Sequence, residues 1–435
     1  MSSLKKKCAE KAVPVAGEVK TLLKDYGEVE IGKVTIGSVI DGMKGMPALL
    51  TLTSKLDPQE GIRFRGYSIP ELQEQLPKLS ADDEPLPEGL FYLMLLGKLP
   101  TMEDVKEIGN EWKKRAVLPA HVGKVLDALP SESAPMADFA IGILALATES
   151  EFVKAYNAGA GKKDYWDSTY EDVMNFLAQL PLIAAYIYRK QYHGGKMIPA
   201  DPNLDWSANL AHMMGYNDPN IYKLFRLYLT IHADHEGGNV SAHTTHLVGS
   251  ALSNPFYSYA AGMLGLAGPL HGYANQEVVA WILDMVKELG TENPTKEQIH
   301  EFCQQTIGSG RVIPGYGHAV LRKTDPRYIA QKEFAAKYCK GDSFIQIVND
   351  LYEVVPPILG SLGKVKNPWP NVDAYSGSLL RHYGIYEAPF YTVLFGVSRA
   401  MGVLASLLWD RAVGLQIERP SSFTLDWFQN KAGIK

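Results

Sequence analysis

Three short stretches, far apart in the sequence, each place an ionisable side chain among glycines or turn residues. They hold His271 in Gly-Pro-Leu-His-Gly, His318 in Gly-Tyr-Gly-His, and Asp373 in Asn-Val-Asp-Ala-Tyr-Ser-Gly. A fourth feature is Arg399, near the centre of the almost wholly apolar run 390–409. Two imidazoles, a carboxylate and a buried guanidinium can hold an anion and move a carbon-bound proton beside it. The combination indicates an enzyme.

His271 lies just before a predicted helix that starts near Tyr273. Its ring would then sit at the positive end of that helix, where the field disfavours imidazolium and lowers the pKa. A neutral imidazole can donate a hydrogen bond to a developing enolate without first losing its proton. The alternative for a histidine beside a glycine is a turn residue without a catalytic role.

Asp373 and Arg399 also have purely structural alternatives. Asp373 follows Pro370-Asn371, so it could form an Asx-turn or cap a helix. Arg399 could form an ion pair with a nearby carboxylate. The run 390–409 is long enough to cross a bilayer, but a central arginine is expensive in lipid. We therefore predict a helix buried inside a soluble protein and no membrane association.

Segment 231–246 contains four histidines, which suggests a metal site as one interpretation. They are His232, His235, His243 and His246. The spacing does not match a zinc motif, because position 239, where His235-Glu236 would need a second histidine, is Asn239. We predict no metal site. His235 is expected to donate a hydrogen bond to an anion, and the other three histidines to pack or support the site.

The loop 311–322 offers backbone N–H groups and two cations, which suits a flexible phosphorylated ligand. A solvated loop is the alternative. A Walker motif is absent from the sequence, because Gly363-Lys364 is followed by Val365.

The bulk properties describe an ordinary globular chain. Its 435 residues favour two domains, and a net charge of −5 provides no electrostatic footprint for nucleic acid. The cluster Lys5-Lys6-Lys7 is expected to be solvated. Three cysteines without a Cys-x-x-Cys spacing favour a reducing compartment. We expect neither a secretory signal nor a clear mitochondrial transit peptide in the first twenty residues.

The pattern is helical over most of the chain. Thr101 and Asp104 have the spacing of a capping box, and the apolar residues after them share one helix face: Val105, Ile108 and Trp112. Similar apolar density predicts helices over 138–148, 170–188, 221–231 and 273–289, the last ending at Gly290. Strand-like patterns occur at 29–40 and 62–69. The prediction is an all-α fold with a small N-terminal β element.

Seven segments together closely resemble citrate synthase of the eukaryotic mitochondrial type: 56–66, 84–89, 231–246, 265–277, 310–328, 367–377 and 394–403. The similarity runs from about residue 30 to Arg419. It implies a two-domain, multi-helical fold, with a large dimer-forming domain of residues 1–272 and 382–435. A small domain of residues 273–381 would close over the active-site cleft.

The resemblance implies roles for the candidate residues. Asp373 would take a proton from the methyl group of acetyl-CoA, His271 would hydrogen-bond the thioester oxygen, and His318 would polarise and protonate the oxaloacetate carbonyl. The oxaloacetate carboxylates would be held by His235, Arg327 and Arg399, and by Arg419 from the second subunit of a homodimer. Citryl-CoA would then be hydrolysed to citrate, with no metal or other cofactor, in the mitochondrial matrix.

Coenzyme A would bind mainly along the loop 312–318, through Val312, Gly315 and Gly317, with further contacts from Arg322, Lys366, Lys44 and Lys162. Lys44 and Lys162 stand where related enzymes often carry arginine, which loses paired hydrogen bonds to phosphate. Tyr375 stands where many mitochondrial relatives have histidine, which leaves 2-methylcitrate synthase, acting on propionyl-CoA, as the alternative. A metal-dependent hydrolase and a helical scaffold are the more distant alternatives.

Overall fold

The structure is a computed structural model that describes residues 2–363 and 365–434, and most of these residues are helical. The α-helices, in chain order, are α1 (Ser3–Tyr26), α2 (Ile36–Ile40), α3 (Ile69–Gln75), α4 (Pro87–Leu96), α5 (Met102–Arg115), α6 (Ala120–Asp127), α7 (Pro135–Leu146), α8 (Glu151–Asn157), α9 (Tyr165–Tyr192), α10 (Trp206–Met214), α11 (Pro219–Ile231), α12 (Val240–Ser250), α13 (Pro255–Leu266), α14 (Ala274–Leu289), α15 (Lys296–Gly308), α16 (Pro326–Tyr338), α17 (Ser343–Ser361), α18 (Asp373–His382), α19 (Tyr391–Val413) and α20 (Leu425–Lys431). Short 3-10 helices lie at Ala147–Glu149, Lys162–Asp164 and Ala388–Phe390. The predicted all-α class is confirmed.

The predicted helices form with somewhat different ends, and their local signals explain them. At α5 the Thr101 hydroxyl accepts from the backbone of Asp104, whose carboxylate accepts in return. The apolar residues after this cap are buried, as predicted: Val105, Ile108 and Trp112. Helix α14 ends at Gly290, which adopts a left-handed φ of 65°.

The β element is one small antiparallel sheet in the order β1-β2-β3: β1 (Ser54–Asp57), β2 (Gly61–Phe64) and β3 (Tyr67–Ser68). In its register Ser54 lies opposite Phe64. The predicted strand at 62–69 thus corresponds to β2, β3 and the start of α3. The predicted strand at 29–40 is wrong. Residues 29–35 lie outside strands and helices, and α2 then begins behind a capping box at Thr35.

Helix α19 runs through the middle of the molecule and packs against α1, α4, α9, α11, α12 and α13. The segment Ala388–Val413 is, in the described part of the chain, the one helical stretch long and apolar enough to cross a membrane. In this fold 94% of its most apolar window is buried inside the protein. The apolar side chains of this segment therefore pack against the protein core.

The N-terminal helix corrects the prediction that the lysine cluster is solvated, which holds for the exposed Lys6 but not for its neighbours. Lys5 is buried and forms ion pairs with Asp167 and Glu171 of α9. Lys7 pairs with Asp104 at the start of α5. One face of α1, which carries Leu4, packs into the core and brings these lysines to carboxylates that sequence spacing does not reveal.

Helices α14 to α18 pack mainly on one another, and they meet the remaining helices through α11, α19 and α3. The candidate residues come from both groups. Those of the larger group follow α11, precede α14 and lie in α19, whereas those of the smaller group lie in the loop after α15, in α16 and at the start of α18. The site is thus built where the two groups meet.

Candidate active site

Arg399 is held by three neutral acceptors around the junction between α11 and α12. Its Nε donates to the carbonyl of His232 (3.2 Å), and its Nη1 donates to Asn239 Oδ1 (3.1 Å) and Ser241 Oγ (3.3 Å). The residue is 1% exposed, and within the described residues no carboxylate oxygen lies within 4.0 Å of its guanidinium nitrogens. The ion-pair alternative is therefore wrong. Burial lowers the pKa of Arg399 to about 10.

Asp234 is the buried carboxylate that acts on Arg399 from a distance. It accepts hydrogen bonds from the hydroxyls of Thr53 (2.7 Å) and Ser54 (2.8 Å) and from the backbone N–H of His235 (3.0 Å). The small sheet therefore fixes the turn that carries His235. Burial raises the pKa of Asp234 despite these hydrogen bonds.

His235 has an unused polar atom at the centre of the site. Its Nε2 is shielded from solvent and has no hydrogen-bond partner among the residues described. Its ring lies edge-on to that of His318, with the centroids 5.5 Å apart. Burial lowers its pKa well below the ordinary value, and Arg327 and His318 add to this effect. A neutral ring with an unpartnered nitrogen fits the predicted donor to an anion.

His318 is held as one tautomer by the backbone of its own loop. Its Nδ1 accepts from the N–H groups of Val320 and Leu321, both at 3.0 Å. A nitrogen that accepts two backbone N–H groups is unprotonated, so Nε2 carries the proton. Burial lowers the pKa of His318 to about 4, assisted by Arg327. The side chain is therefore a neutral Nε2–H donor.

His271 shows the opposite tautomer. Its Nε2 accepts the backbone N–H of Ser241 (3.3 Å) and lies 2.9 Å from the Ser241 hydroxyl, so the proton is on Nδ1. Its pKa is lowered to about 4, in agreement with the predicted neutral state. Burial is the largest cause of this lowering and Arg399 adds to it, whereas the sequence analysis considered only the positive end of α14.

Asp373 is the first residue of α18 and does not serve as its cap. The cap position is Val372, and the Asx-type bond belongs to Asn371, whose Oδ1 accepts the backbone N–H of Asp373 (3.0 Å). The Oδ1 of Asp373 is shielded from solvent, without a hydrogen-bond partner within the described chain. Burial raises the pKa of this carboxyl to about 6, although Arg327 and Arg399 oppose the shift.

Arg327, on α16, is partly neutralised by its neighbour. Its Nε and Nη2 donate to both oxygens of Asp325, with the closest contact at 2.7 Å. Both residues are buried. The second guanidinium of the site is thus oriented by a paired carboxylate, whereas Arg399 is oriented by neutral groups.

The loop 311–322 is ordered by backbone bonds rather than solvated throughout. The N–H of Gly317 donates to the carbonyl of Trp369 (3.0 Å), and the N–H of Asn371 donates to the carbonyl of Gly315 (2.9 Å). Gly315 has a φ of 77°, and a Cβ there would lie 2.8 Å from the Cα of Ala374. The loop therefore packs directly beside Asp373, as close as a glycine permits.

The predicted coenzyme A residues on this loop differ in availability. Val312 is 82% exposed, and Gly317 has a φ of 89°. Arg322 is half-buried, and its Nη1 donates to the carbonyls of Val320 and Leu321, both at 2.8 Å. Part of its guanidinium is thus engaged with the loop itself.

Four predicted cations lie outside the cluster described above. Lys366 is exposed. It lies three residues before Trp369, whose carbonyl accepts the Gly317 N–H of the loop. Lys44 is exposed, 4.0 Å from Asp41. Lys162 is also exposed and lines cavities with segment 414–417 that include no residue of the loop. Arg419 is exposed in the C-terminal strap (residues 415–424) between α19 and α20.

His243 and His246 pair with carboxylates. His243 Nε2 lies 2.9 Å from Glu418 Oε1, and His246 Nδ1 lies 2.8 Å from Asp410 Oδ2. Across residues 2–363 and 365–434, no group of three or more His, Cys, Asp or Glu side chains is arranged to hold a metal ion.

Sequence reasoning missed Asn239, Ser241 and Asp325. Asn239 caps α12 by accepting the Ala242 N–H, and this ordinary cap signal is the one clue the sequence carried. Tyr375 is the residue that leaves the 2-methylcitrate alternative open. It is fully buried among α16 to α18, where its hydroxyl donates to Asn349 Oδ1 (3.1 Å).

Comparisons with known proteins identify the family of this chain. A family model described as "Citrate synthase, C-terminal domain" matches residues 42–421. "Citrate synthase, mitochondrial" of Daucus carota is 58% identical over 95% of this chain and 87% of the relative. "Probable citrate synthase, mitochondrial" of Glossina morsitans morsitans is 55% identical over 98% of this chain and 91% of the relative.

Among solved structures, citrate synthase from Pyrobaculum aerophilum aligns with a TM-score of 0.76 at 27% identity, covering 91% of this chain and 95% of that one. Citrate synthase from Thermotoga maritima aligns with a TM-score of 0.72 at 23% identity, covering 90% of this chain and 96% of that one, and shows the same fold. The chain belongs to the citrate synthase family.

Proposed function

We propose that the chain condenses acetyl-CoA with oxaloacetate and water to give citrate and free coenzyme A, through the side chains described above. The observation that carries this assignment is a buried Arg399 without a carboxylate partner, beside a buried carboxylate and two neutral imidazoles. Such a site has cationic capacity for a dianion and a base for a carbon acid. The named relatives are citrate synthases, and nothing in the described contacts favours the methylcitrate alternative.

Oxaloacetate would bind first, between Arg327, Arg399 and His235. Planar guanidinium groups match carboxylates in paired hydrogen bonds, and a bound dianion would supply the counter-charge that Arg399 lacks. His235 would donate from its unpartnered Nε2. Arg419 would complete the site from the second subunit, because in its own subunit it lies exposed on the strap.

His318 would point its Nε2–H at the keto oxygen of oxaloacetate. This hydrogen bond polarises the carbonyl and passes a proton to the oxygen as the new carbon–carbon bond forms. The two backbone N–H groups on its Nδ1 keep the tautomer correct before the substrate arrives.

Asp373 would remove a proton from the methyl group of acetyl-CoA, while His271 Nδ1–H holds the thioester oxygen. An aspartate is a much weaker base than the carbanion, so the enolate must be stabilised as it forms. One preorganised donor to an oxyanion is worth about 3 kcal/mol, and a positioned base contributes roughly 10²–10⁴-fold. The enolate carbon then attacks the keto carbon, and water cleaves the citryl thioester.

Coenzyme A would lie along the loop 312–318, which abuts Asp373 through Gly315. Val312 offers an exposed apolar contact, and Arg322 and Lys366 offer charge for the phosphates. Lys162 lines a cavity with Gln416 and Ile417, so it lies beside the strap and could cross to the other subunit together with Arg419. Enolate formation and condensation use protein side chains, and no step of this route requires a metal.

The homodimer would use the apolar surface that the single chain leaves exposed. Large apolar side chains are exposed on α12 and α13, on α1, and on the strap and α20: Val240, Tyr257, Leu264, Val13, Leu23, Ile417, Phe423 and Leu425. Exposed apolar area of this extent is characteristic of an interface. The same strap carries Arg419, so association and site completion would be coupled.

Domain closure would bring residues 273–381 towards the larger domain, residues 1–272 and 382–435. Links such as the bond between His232 and Ser376 (3.2 Å) already join the two parts. An anion that attracts cations from both sides would favour closure and exclude water before the thioester enters. The chain is mitochondrial by its relatives, and we propose the matrix as its compartment.

The decisive experiment measures thiol release with acetyl-CoA and with propionyl-CoA at saturating oxaloacetate. We expect release that depends on oxaloacetate and prefers acetyl-CoA. A preference for propionyl-CoA would transfer the assignment to 2-methylcitrate synthase. Release that is independent of oxaloacetate would contradict the condensation altogether.

A further inference from the structure

Glu418 is attached to α12 at three points, although it belongs to the strap. Its backbone N–H donates to Ser250 Oγ (3.0 Å), at the last residue of α12. Its Oε1 lies 2.9 Å from His243 Nε2, and its Oε2 lies 3.7 Å from His246 Nε2. Glu418 is half-buried, and both its backbone and its side chain are anchored.

The attachment extends into the core through His246. The Nδ1 of this ring contacts Asp410 Oδ2 at 2.8 Å, in the last turn of α19. The hydrogen bond to Asp410 raises the pKa of His246 against the opposing effect of burial. A connected set of acids and imidazoles, Glu418, His243, His246 and Asp410, therefore joins the strap to two core helices.

Arg419 is the next residue, and its side chain is not anchored to the rest of the described chain as that of Glu418 is. It is exposed, and within the described residues its side chain has no recorded hydrogen bond or ion pair. Its Cα lies one peptide unit, about 3.8 Å, from that of Glu418. Anchoring one residue thus restricts where the guanidinium of the next can reach, which reduces the entropy lost on binding.

We propose that Glu418 is a positioning residue for Arg419, and that the contacts of Glu418 to α12 aim the guanidinium at the oxaloacetate site of the partner subunit. This inference rests on the proposed function, in which Arg419 binds a substrate carboxylate across the dimer. The start of α12 supplies Ser241 to the cradle of Arg399, and its end holds Glu418. One helix therefore supports a carboxylate-binding arginine for each of the two sites.

The test compares steady-state kinetics of Glu418→Ala with those of Arg419→Gln. We expect Glu418→Ala to raise the KM for oxaloacetate about tenfold while kcat changes less than threefold, since chemistry elsewhere is intact. Glu418→Gln keeps an oxygen acceptor for His243 and should recover most of the affinity. The double variant should be no worse than Arg419→Gln alone, because a positioning residue acts only through its target.

Asp342→Asn is the matched control, since it weakens a comparable pair (2.6 Å) between Asp342, the N-cap of α17, and His382 at the end of α18, away from the strap. It should leave the KM for oxaloacetate unchanged. Sedimentation would establish that Glu418→Ala remains as associated as the unmodified chain. The inference is overturned by an unchanged KM in Glu418→Ala, by additive effects in the double variant, or by dissociation that accounts for the change. If the unmodified chain shows no oxaloacetate-dependent turnover, the proposed function is refuted instead.

Discussion

Two buried arginines in this chain have opposite surroundings. Arg226 donates from Nη1 to both oxygens of Asp83 (2.8 and 2.9 Å) and from Nη2 to Asp205 (2.6 Å), with Glu88 buried nearby. Arg399 is equally buried but is held by a carbonyl, an amide oxygen and a hydroxyl. Within the described residues, Arg226 contacts carboxylates directly, whereas the buried carboxylates near Arg399 act on it only from a distance.

The difference separates a structural cluster from a binding site. Buried charges are normally paired, and an internal pair needs no ligand. Within the described chain, His235 Nε2 and Asp373 Oδ1 are buried without a hydrogen-bond partner, and these are the atoms that we expect a substrate to meet. Burying these groups without partners in the described chain is unfavourable, and we expect the binding of a dianion and a carbon acid to offset this cost.

The largest expected effect comes from Asp373→Asn. It should lower kcat roughly 10³-fold, because the positioned base is lost. Folding should not suffer, since burial already disfavours the ionised carboxylate. Turnover and thermal unfolding are measured for Asp373→Asn and, as a control in the structural cluster, for Asp83→Asn. The control should keep kcat and lose stability, and a fully active Asp373→Asn variant would remove Asp373 from the mechanism.

The paired variants Arg399→Leu and Arg226→Leu test the comparison directly. We expect Arg399→Leu to raise the KM for oxaloacetate about 100-fold, as loss of a charge-assisted contact worth about 3 kcal/mol implies. Its unfolding temperature should change little. Arg226→Leu leaves two buried aspartates unpaired and should cost about 3–5 kcal/mol of stability with the KM unchanged. Equal losses of stability in both variants would contradict the distinction.

The smallest effect is expected at Glu88, within the structural cluster. Burial, and then Asp205, raises its pKa to about 7, so the folded state binds a proton more tightly than the unfolded state. Stability should therefore fall as pH rises from about 4.5 through 7, by an amount on the order of 2 kcal/mol. Glu88→Gln should flatten this dependence and leave turnover unchanged. The unfolding temperatures at pH 5.5 and 7.5 measure this pH dependence. An equal change between the two pH values in the variant and the unmodified chain would show that Glu88 is not its source.

Local signals in the sequence predicted much of the fold. The Thr101 capping box and the glycine stop at 290 operate over a few residues, so pattern alone reveals them. The strand predicted at 29–40 failed because alternation does not provide a partner strand, and Thr35 caps a helix instead. Lys5 was misjudged because its partners lie more than 160 residues away.

The roles of His318, Arg327 and Arg419 came from the resemblance to citrate synthase, whereas His271, Asp373 and Arg399 each had a functional and a structural interpretation from the sequence. Contacts across long stretches of chain decide between them. His271 meets Ser241 30 residues away, and Arg399 meets His232 167 residues away. These bonds assign the tautomer of His271 and identify the neutral cradle of Arg399, which no local motif encodes, whereas the tautomer of His318 is set by its own loop. The function of Arg419 depends on a second subunit and stays a prediction.

The close contact between Gly315 and Ala374 limits how this enzyme could be engineered. A methyl group at 315 would collide with the helix that presents Asp373, as well as forcing a left-handed backbone on a residue with a side chain. Attempts to change acyl-donor selectivity by substituting residue 315 would therefore displace the base along with the loop. Directed evolution should begin instead at the exposed position 312, where variation leaves this contact untouched.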